Sequence, residues 1–133
     1  MPDIDWARLW RRLNWVRLWR AGGWLGVALT LAFSLGPPTV GEDDSQLDKL
    51  AHVAGYAVLT FWWAQIVVAQ RWRLALAVVV FGIAIELLQG LTPERQPDPV
   101  DALANAAGVL LGWGAARLLP NLTKVLARHF RPR

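Results

Sequence analysis

Leu50 to Ala69 reads LAHVAGYAVLTFWWAQIVVA, twenty consecutive residues without a formally charged side chain. As a helix this stretch would rise about 30 Å, the thickness of a bilayer's hydrocarbon core. Ala21 to Val40, Leu74 to Ile85 and Ala102 to Ala116 are uncharged in the same way. A soluble bundle needs a polar stripe along each helix, whereas these segments are apolar around most of their circumference. The reading is therefore all-α: a polytopic membrane protein with four transmembrane helices over about 21–40, 48–69, 72–91 and 101–119. Each is near the lower length limit for a span, so flanking Arg and Trp side chains must complete it by snorkelling.

The charges sort by connection. Arg8, Arg11, Arg12, Arg17 and Arg20 precede the first stretch, Arg71 and Arg73 separate the second from the third, and Arg117, Lys124, Arg128, Arg131 and Arg133 follow the fourth. Twelve of the fourteen cations thus share one face. The other connections carry Glu42, Asp43, Asp44, Asp48, Glu94, Asp98 and Asp101, with only Lys49 and Arg95 as cations. The positive-inside rule then predicts a multi-pass protein of the cell membrane, inner or plasma, with both termini cytoplasmic and both acidic loops outside.

At 133 residues the chain reads as a single domain, 1–133, and its nine Trp and 55% hydrophobic content do not suit an ordinary soluble one. Trp15, Trp19, Trp62, Trp63, Trp72 and Trp113 are expected near the interfaces. The formal net charge of +4 is spread over three segments beside apolar spans, so the lipid bilayer, with its anionic inner leaflet, is the expected partner rather than nucleic acid. The absence of cysteine excludes disulfides, thiolate nucleophiles and thiolate metal sites. The Arg-rich lead into the first stretch resembles a secretory signal, but cleavage would leave three spans and oppose the charge pattern.

Short interfacial helices are expected at both ends. Trp6, Leu9, Trp10 and Leu13 fall on one helical face opposite Arg8, Arg11 and Arg12, and the tail from Pro120 repeats the pattern with Leu122, Val125, Leu126 and Phe130. Gly36-Pro37-Pro38 stops the first helix, and Pro93, Pro97 and Pro99 make the second acidic loop stiff and extended.

Polar residues meet at one depth. Asp48, His52 and Tyr56 are spaced i, i+4, i+8 with Lys49 one residue round; Glu86 and Gln89 close the third helix; Asp101 and Asn105 open the fourth. Glu86 lies roughly 9 Å below its loop, and His52 and Asn105 roughly 6 Å below their helix starts. Ionisable groups at that depth normally face a bundle interior or wet cavity and pair there. Gly108 and Gly112 form a small-xxx-small pair for close helix approach, and with Gly114 they could also serve self-association, so the oligomeric state stays open. A purely structural role for the cluster is the competing reading: Asp48 with Lys49, or Glu86 with Arg95 or His52, would pin the bundle by mutual pairing.

Read in order, these residues resemble the VanZ-like membrane protein family. The resemblance runs through Asp48-Lys49-Leu50-Ala51-His52 and Tyr56, Glu86-Leu87-Leu88-Gln89, Arg95, and Asp101 through Asn105 to Gly108 with Gly112, covering about 47–112. One departure is Pro93-Glu94-Arg95, where the family often has Gly before this Arg. The resemblance implies a small polytopic membrane protein, with a founding member associated with resistance to the lipoglycopeptide teicoplanin. It implies no established reaction.

Three functions follow as expectations. In the first, the cluster binds an envelope lipid or glycan, or a lipid-linked or glycopeptide ligand, with Lys49, Tyr56, Gln89, Arg95, Asp98 and Asn105 as ligand-binding candidates and glycopeptide susceptibility as a phenotype. In the second, a membrane-embedded hydrolase or transferase uses His52 and Glu86 as acid and base, with Asp48 orienting the imidazole and Asp101 beside them. No Ser or Cys is available as nucleophile, so such a reaction would use water, His52 or a carboxylate, with or without a metal held by His52, Asp48, Glu86 or Asp101. No cofactor is expected and no metal site is assigned. A proton-coupled transporter is the remote third, opposed by the lack of polar side chains between Leu74 and Ile85.

With no native cysteine, single cysteines at Ser45, Gln96 and Gln70 test the orientation. A membrane-impermeant maleimide on intact cells should label the first two and spare Gln70→Cys; the opposite pattern would invert the molecule.

Overall fold

The computed structural model describes residues 14–37, 45–93 and 97–129, and among them the chain is all-helical. Its helices are α1 (Trp15–Leu35), α2 (Ser45–Ala64), α3 (Arg71–Gln89), α4 (Pro99–Leu118) and α5 (Leu122–His129). The expected N-terminal interfacial helix around Trp6 to Leu13 and the acidic Glu42, Asp43 and Asp44 lie outside the described residues.

Local chemistry explains where the helices depart from the expected bounds. α1 begins at Trp15 rather than near 21, because Asn14 caps it by accepting a hydrogen bond from the Arg17 amide. Arg17 and Arg20 therefore ride on its first turns. It ends at Leu35, where Gly36 donates back to the Ala32 carbonyl and the two prolines follow. α2 ends at Ala64, not near 69, since the Gln65–Gln70 segment turns, with Gln70 in the left-handed region at φ 54°. Pro99 is no loop residue. Asp98 accepts from the Val100 amide and Pro99 takes the first helical turn, where its missing N–H costs nothing.

α2 and α4 run parallel and form the closest pair. A Cβ on Gly108 would overlap the Val53 carbonyl oxygen, and one on Gly112 would overlap that of Ala57. Backbone therefore lies on backbone, which only glycine allows. These two glycines are thereby used within the chain rather than offered to a second copy. α3 crosses the pair antiparallel, and Gly82 lets it close over Tyr56 and Asn105. Tyr56, Leu59, Val78 and Val109 form the small buried core.

α1 leans on α2 through aromatic rings. Gly22 and Gly23 seat Trp62 and Trp63, and Trp19 stacks on Trp62 with centroids 4.1 Å apart. Each of those indoles donates to the other's backbone carbonyl, at 2.9 and 2.7 Å, so two polar N–H groups are satisfied inside the contact. Trp62 and Trp63 thus serve helix packing. Where the positive connections gather, Arg71 donates to the carbonyls of Ala64 and Ala116, closing the exposed ends of α2 and α4. Gln65 accepts from the Leu122 amide, and Asn121 donates to the Gln65 carbonyl, docking α5 there.

Little of the apolar surface is covered. Only Gly23 of α1 is buried, while Trp24, Leu25, Phe33, Leu87, Leu103 and Leu118 are exposed. A surface of this kind is at home in hydrocarbon and unfavourable in water. α1 and α3 are each long and apolar enough to cross a membrane, and α4 with α5, bent by 41° at their junction, would make a third span. α2, with Asp48, Lys49 and His52 in its first turns, does not qualify by composition, so two to three spans stand where four are expected.

The glycine contacts differ enough to test. Gly112→Ala should destabilise the protein by about 1–3 kcal/mol through overpacking against Ala57. Gly114→Ala, with nothing within 4 Å of the new methyl, should leave stability unchanged or raise it by up to about 1 kcal/mol. Reversible unfolding of both variants in detergent measures the contrast.

Candidate functional site

The cluster sits where α2 and α4 begin and α3 ends, and the parallel α2–α4 register builds it. Once Val53 meets Gly108, the preceding turns put His52 beside Asn105 and Lys49 beside Asp101. His52 Nδ1 lies 2.8 Å from Asn105 Oδ1. An amide oxygen only accepts, so in this arrangement Nδ1 carries the proton. The other nitrogen, Nε2, stands 3.7 Å from Asp48 Oδ1 and 3.8 Å from Asp101 Oδ2. Those separations are ion-pair distances, too long for hydrogen bonds. Asn105, not Asp48, thus makes the hydrogen bond that orients the imidazole.

Lys49 is committed. Its ammonium hydrogen-bonds Asp101 and lies 2.8 Å from Asp98 Oδ2, with Asp48 farther off at 4.0 Å. Asp98 therefore has two structural duties, capping α4 and tying it to α2. The Lys49 ammonium, and then the Val100 amide, hold the Asp98 carboxyl below the usual carboxylate range.

Beneath this half-exposed rim lies a buried floor. Tyr56, Glu86 and Asn105 are all less than 7% exposed. Glu86 accepts a long hydrogen bond, 3.4 Å, from the Asp98 amide through Oε2. Its Oε1, together with Tyr56 Oη and Asn105 Nδ2, is buried without a partner among the described residues. Glu86 is within electrostatic reach of Asp101, His52 and Asp98, and Tyr56 within reach of Glu86, so floor and rim form one constellation.

The structure thus gathers Asp48, Lys49, His52, Tyr56, Glu86, Asp98, Asp101 and Asn105. Gln89 is spent elsewhere: its amide donates to the Ser34 carbonyl at 2.8 Å and ties α3 to the end of α1. Arg95 lies outside the described residues. Gly82 is a site residue the sequence reading missed, since its bare Cα lets α3 approach Tyr56 and Asn105. Its position four residues before Glu86, on the same helical face, is the signal that would have found it.

Chemically, four carboxyl groups share the cluster with one ammonium and one imidazole, which gives it acidic character. Asp48, His52 and Asp101 each present an atom within 4.8 Å of the others and form a candidate set of metal ligands. The only hydroxyl in the gathered set is the Tyr56 phenol.

The sequence pattern of the VanZ/LLP1 family matches residues 5–120. No curated protein and no solved structure matches the chain.

The Asp98 tie has a defined pH sense. A depressed carboxyl contributes stability that is complete above the unfolded carboxylate range and is lost as pH falls through its folded value. Asp98→Asn keeps a good cap while abolishing the titration. Thermal melts taken from about pH 6 down to about pH 3 should therefore fall less steeply for Asp98→Asn than for the parent; identical acid limbs would remove Asp98 from the stabilising set.

Proposed function

The chain belongs to the VanZ/LLP1 family, and from that premise we propose a multi-pass protein of the cell membrane that binds the polar head of an envelope lipid or lipid-linked glycan. In this reading α1 to α4 all cross the bilayer, both termini are cytoplasmic, and the cluster opens to the extracytoplasmic face. The sorting of the cations supports that orientation. The tight α2–α4 contact supports the span count, because a helix that begins with ionisable residues can hold them against a partner instead of against lipid.

One observation carries the binding reading: three polar atoms unpartnered among the described residues, Tyr56 Oη, Glu86 Oε1 and Asn105 Nδ2, lie buried beneath a half-exposed charged rim. Each such atom costs roughly 1–3 kcal/mol while it lacks a partner, and a ligand with complementary groups recovers that cost. Exposed Leu50, Leu87 and Leu103 on the same helix turns provide an apolar surface for an acyl or prenyl chain. Lys49 is taken by Asp98 and Asp101, so among the described residues the rim favours hydroxyl or amine groups over an isolated phosphate.

Lipid extracted from the protein purified in a native-lipid nanodisc should contain a specific envelope lipid, depleted several-fold in Glu86→Gln and Asn105→Leu variants of unchanged thermal stability. A lipid profile identical in parent, variants and an unrelated membrane protein would sink the binding reading. Teicoplanin susceptibility of cells carrying parent or variant should be read in parallel, as the phenotype the family relationship suggests.

A further inference from the structure

We propose that Asp48, His52 and Asp101 bind one divalent first-row transition-metal ion, with Asn105 as the residue that positions the imidazole. The inference deepens the proposed reading of the same site, because a bound cation would take a hydroxyl oxygen of the ligand's head as a further donor. Metal binding is nevertheless measurable without any ligand.

The geometry around His52 is the first support. With Nδ1 donating to Asn105 Oδ1 at 2.8 Å, the ring directs Nε2 between two carboxylate oxygens, at 3.7 and 3.8 Å. An Nε2 facing two carboxylates calls for positive charge there, either its own proton or a bound cation. The separations are longer than hydrogen bonds. They are close to what a metal needs: bonds of about 2.1 Å at the tetrahedral angle put ligand atoms roughly 3.4 Å apart. The three candidate ligand atoms all lie within 4.8 Å of one another. A ligating histidine usually gives its second N–H to a carboxylate or carbonyl oxygen, which is the place Asn105 occupies. Lys49 divides the work on Asp101, bonding Oδ1 while Oδ2 faces His52.

Glu86 supplies the second, independent support. Its side chain is more than nine-tenths buried, Oε1 has no partner among the described residues, and Oε2 accepts from the amide of Asp98 at the rim. Among the described residues one ammonium is set against four carboxyl groups, and of these Glu86 is the one closed in. A divalent ion offsets two negative charges of the cluster. One imidazole with two carboxylates and no thiolate suits zinc or manganese. Calcium and magnesium favour all-oxygen shells.

The full chain, purified in nanodiscs and stripped with chelator, is titrated with manganese and followed by electron paramagnetic resonance with nitrogen-modulation detection. The expected result is one tightly bound ion per chain whose spectrum carries the coupling of a single imidazole nitrogen, with zinc displacing it. His52→Ala should abolish the nitrogen coupling, and Asn105→Leu should weaken affinity roughly 10–100-fold while retaining it. Absence of stoichiometric manganese and zinc binding by the parent protein, or manganese bound without imidazole coupling, overturns the proposal. Because the parent protein alone decides the outcome, a variant that fails to fold does not protect the idea. Lipid retention with no metal would leave the binding function standing and remove only the ion.

Discussion

The contact of α2 with α4 at Val53–Gly108 and Ala57–Gly112 is the constraint on which the rest of the structure depends. Two helices whose backbones touch have little freedom to slide, because each glycine notch fits one carbonyl. The register that follows sets every polar pair one turn away: His52 with Asn105, and Lys49 with Asp101. A methyl group in either notch would push the helices apart and lengthen those pairs together. The glycines are therefore packing residues through which the polar cluster acquires its geometry.

The surroundings of that pair are unusually thin. α3 closes one side through Gly82, and α1 leans on the other through the reciprocal Trp19–Trp62 contact, yet most leucine and valine side chains remain uncovered. A water-soluble protein of this size would be driven to bury them. In lipid the apolar surface needs no cover, and what must be satisfied is the polar backbone. The contacts from Arg71, Gln65, Asn121 and Gln89 to backbone carbonyls and amides at helix ends do that work. Arginine serves two ends there, neutralising terminal carbonyls as well as marking the positive side.

The polar cluster is organised in two tiers with different energetics. At the rim, Lys49 bridges Asp98 and Asp101 where the side chains are partly open, so charge is balanced cheaply and screening is available. On the floor, Tyr56, Glu86 and Asn105 are closed in, and three of their polar atoms lack partners. Three unpartnered polar groups in the floor of one cluster are unfavourable for stability alone. It is the arrangement expected of a site whose last hydrogen bonds come from outside the protein.

The sequence by itself determined the helical class, the apolar character and the family, because charge-free runs of span length and i, i+4 spacing depend only on local order along the chain. Asp48, His52, Tyr56, Glu86, Asp101 and Asn105 were legible as one cluster for that reason. Which of them touch was decided by tertiary structure. Asn105 rather than Asp48 holds the imidazole because the glycine notches set a parallel register that spacing within one helix cannot reveal. Gln89, on the correct face by periodicity, turns instead to the Ser34 carbonyl because α1 ends beside it. Lys49 is a bridge rather than a free cation because the Asp98 cap and Asp101 arrive from a distant helix. Sequence periodicity reports a residue's face, while partners are set by the separation and register of backbones that meet only in the fold.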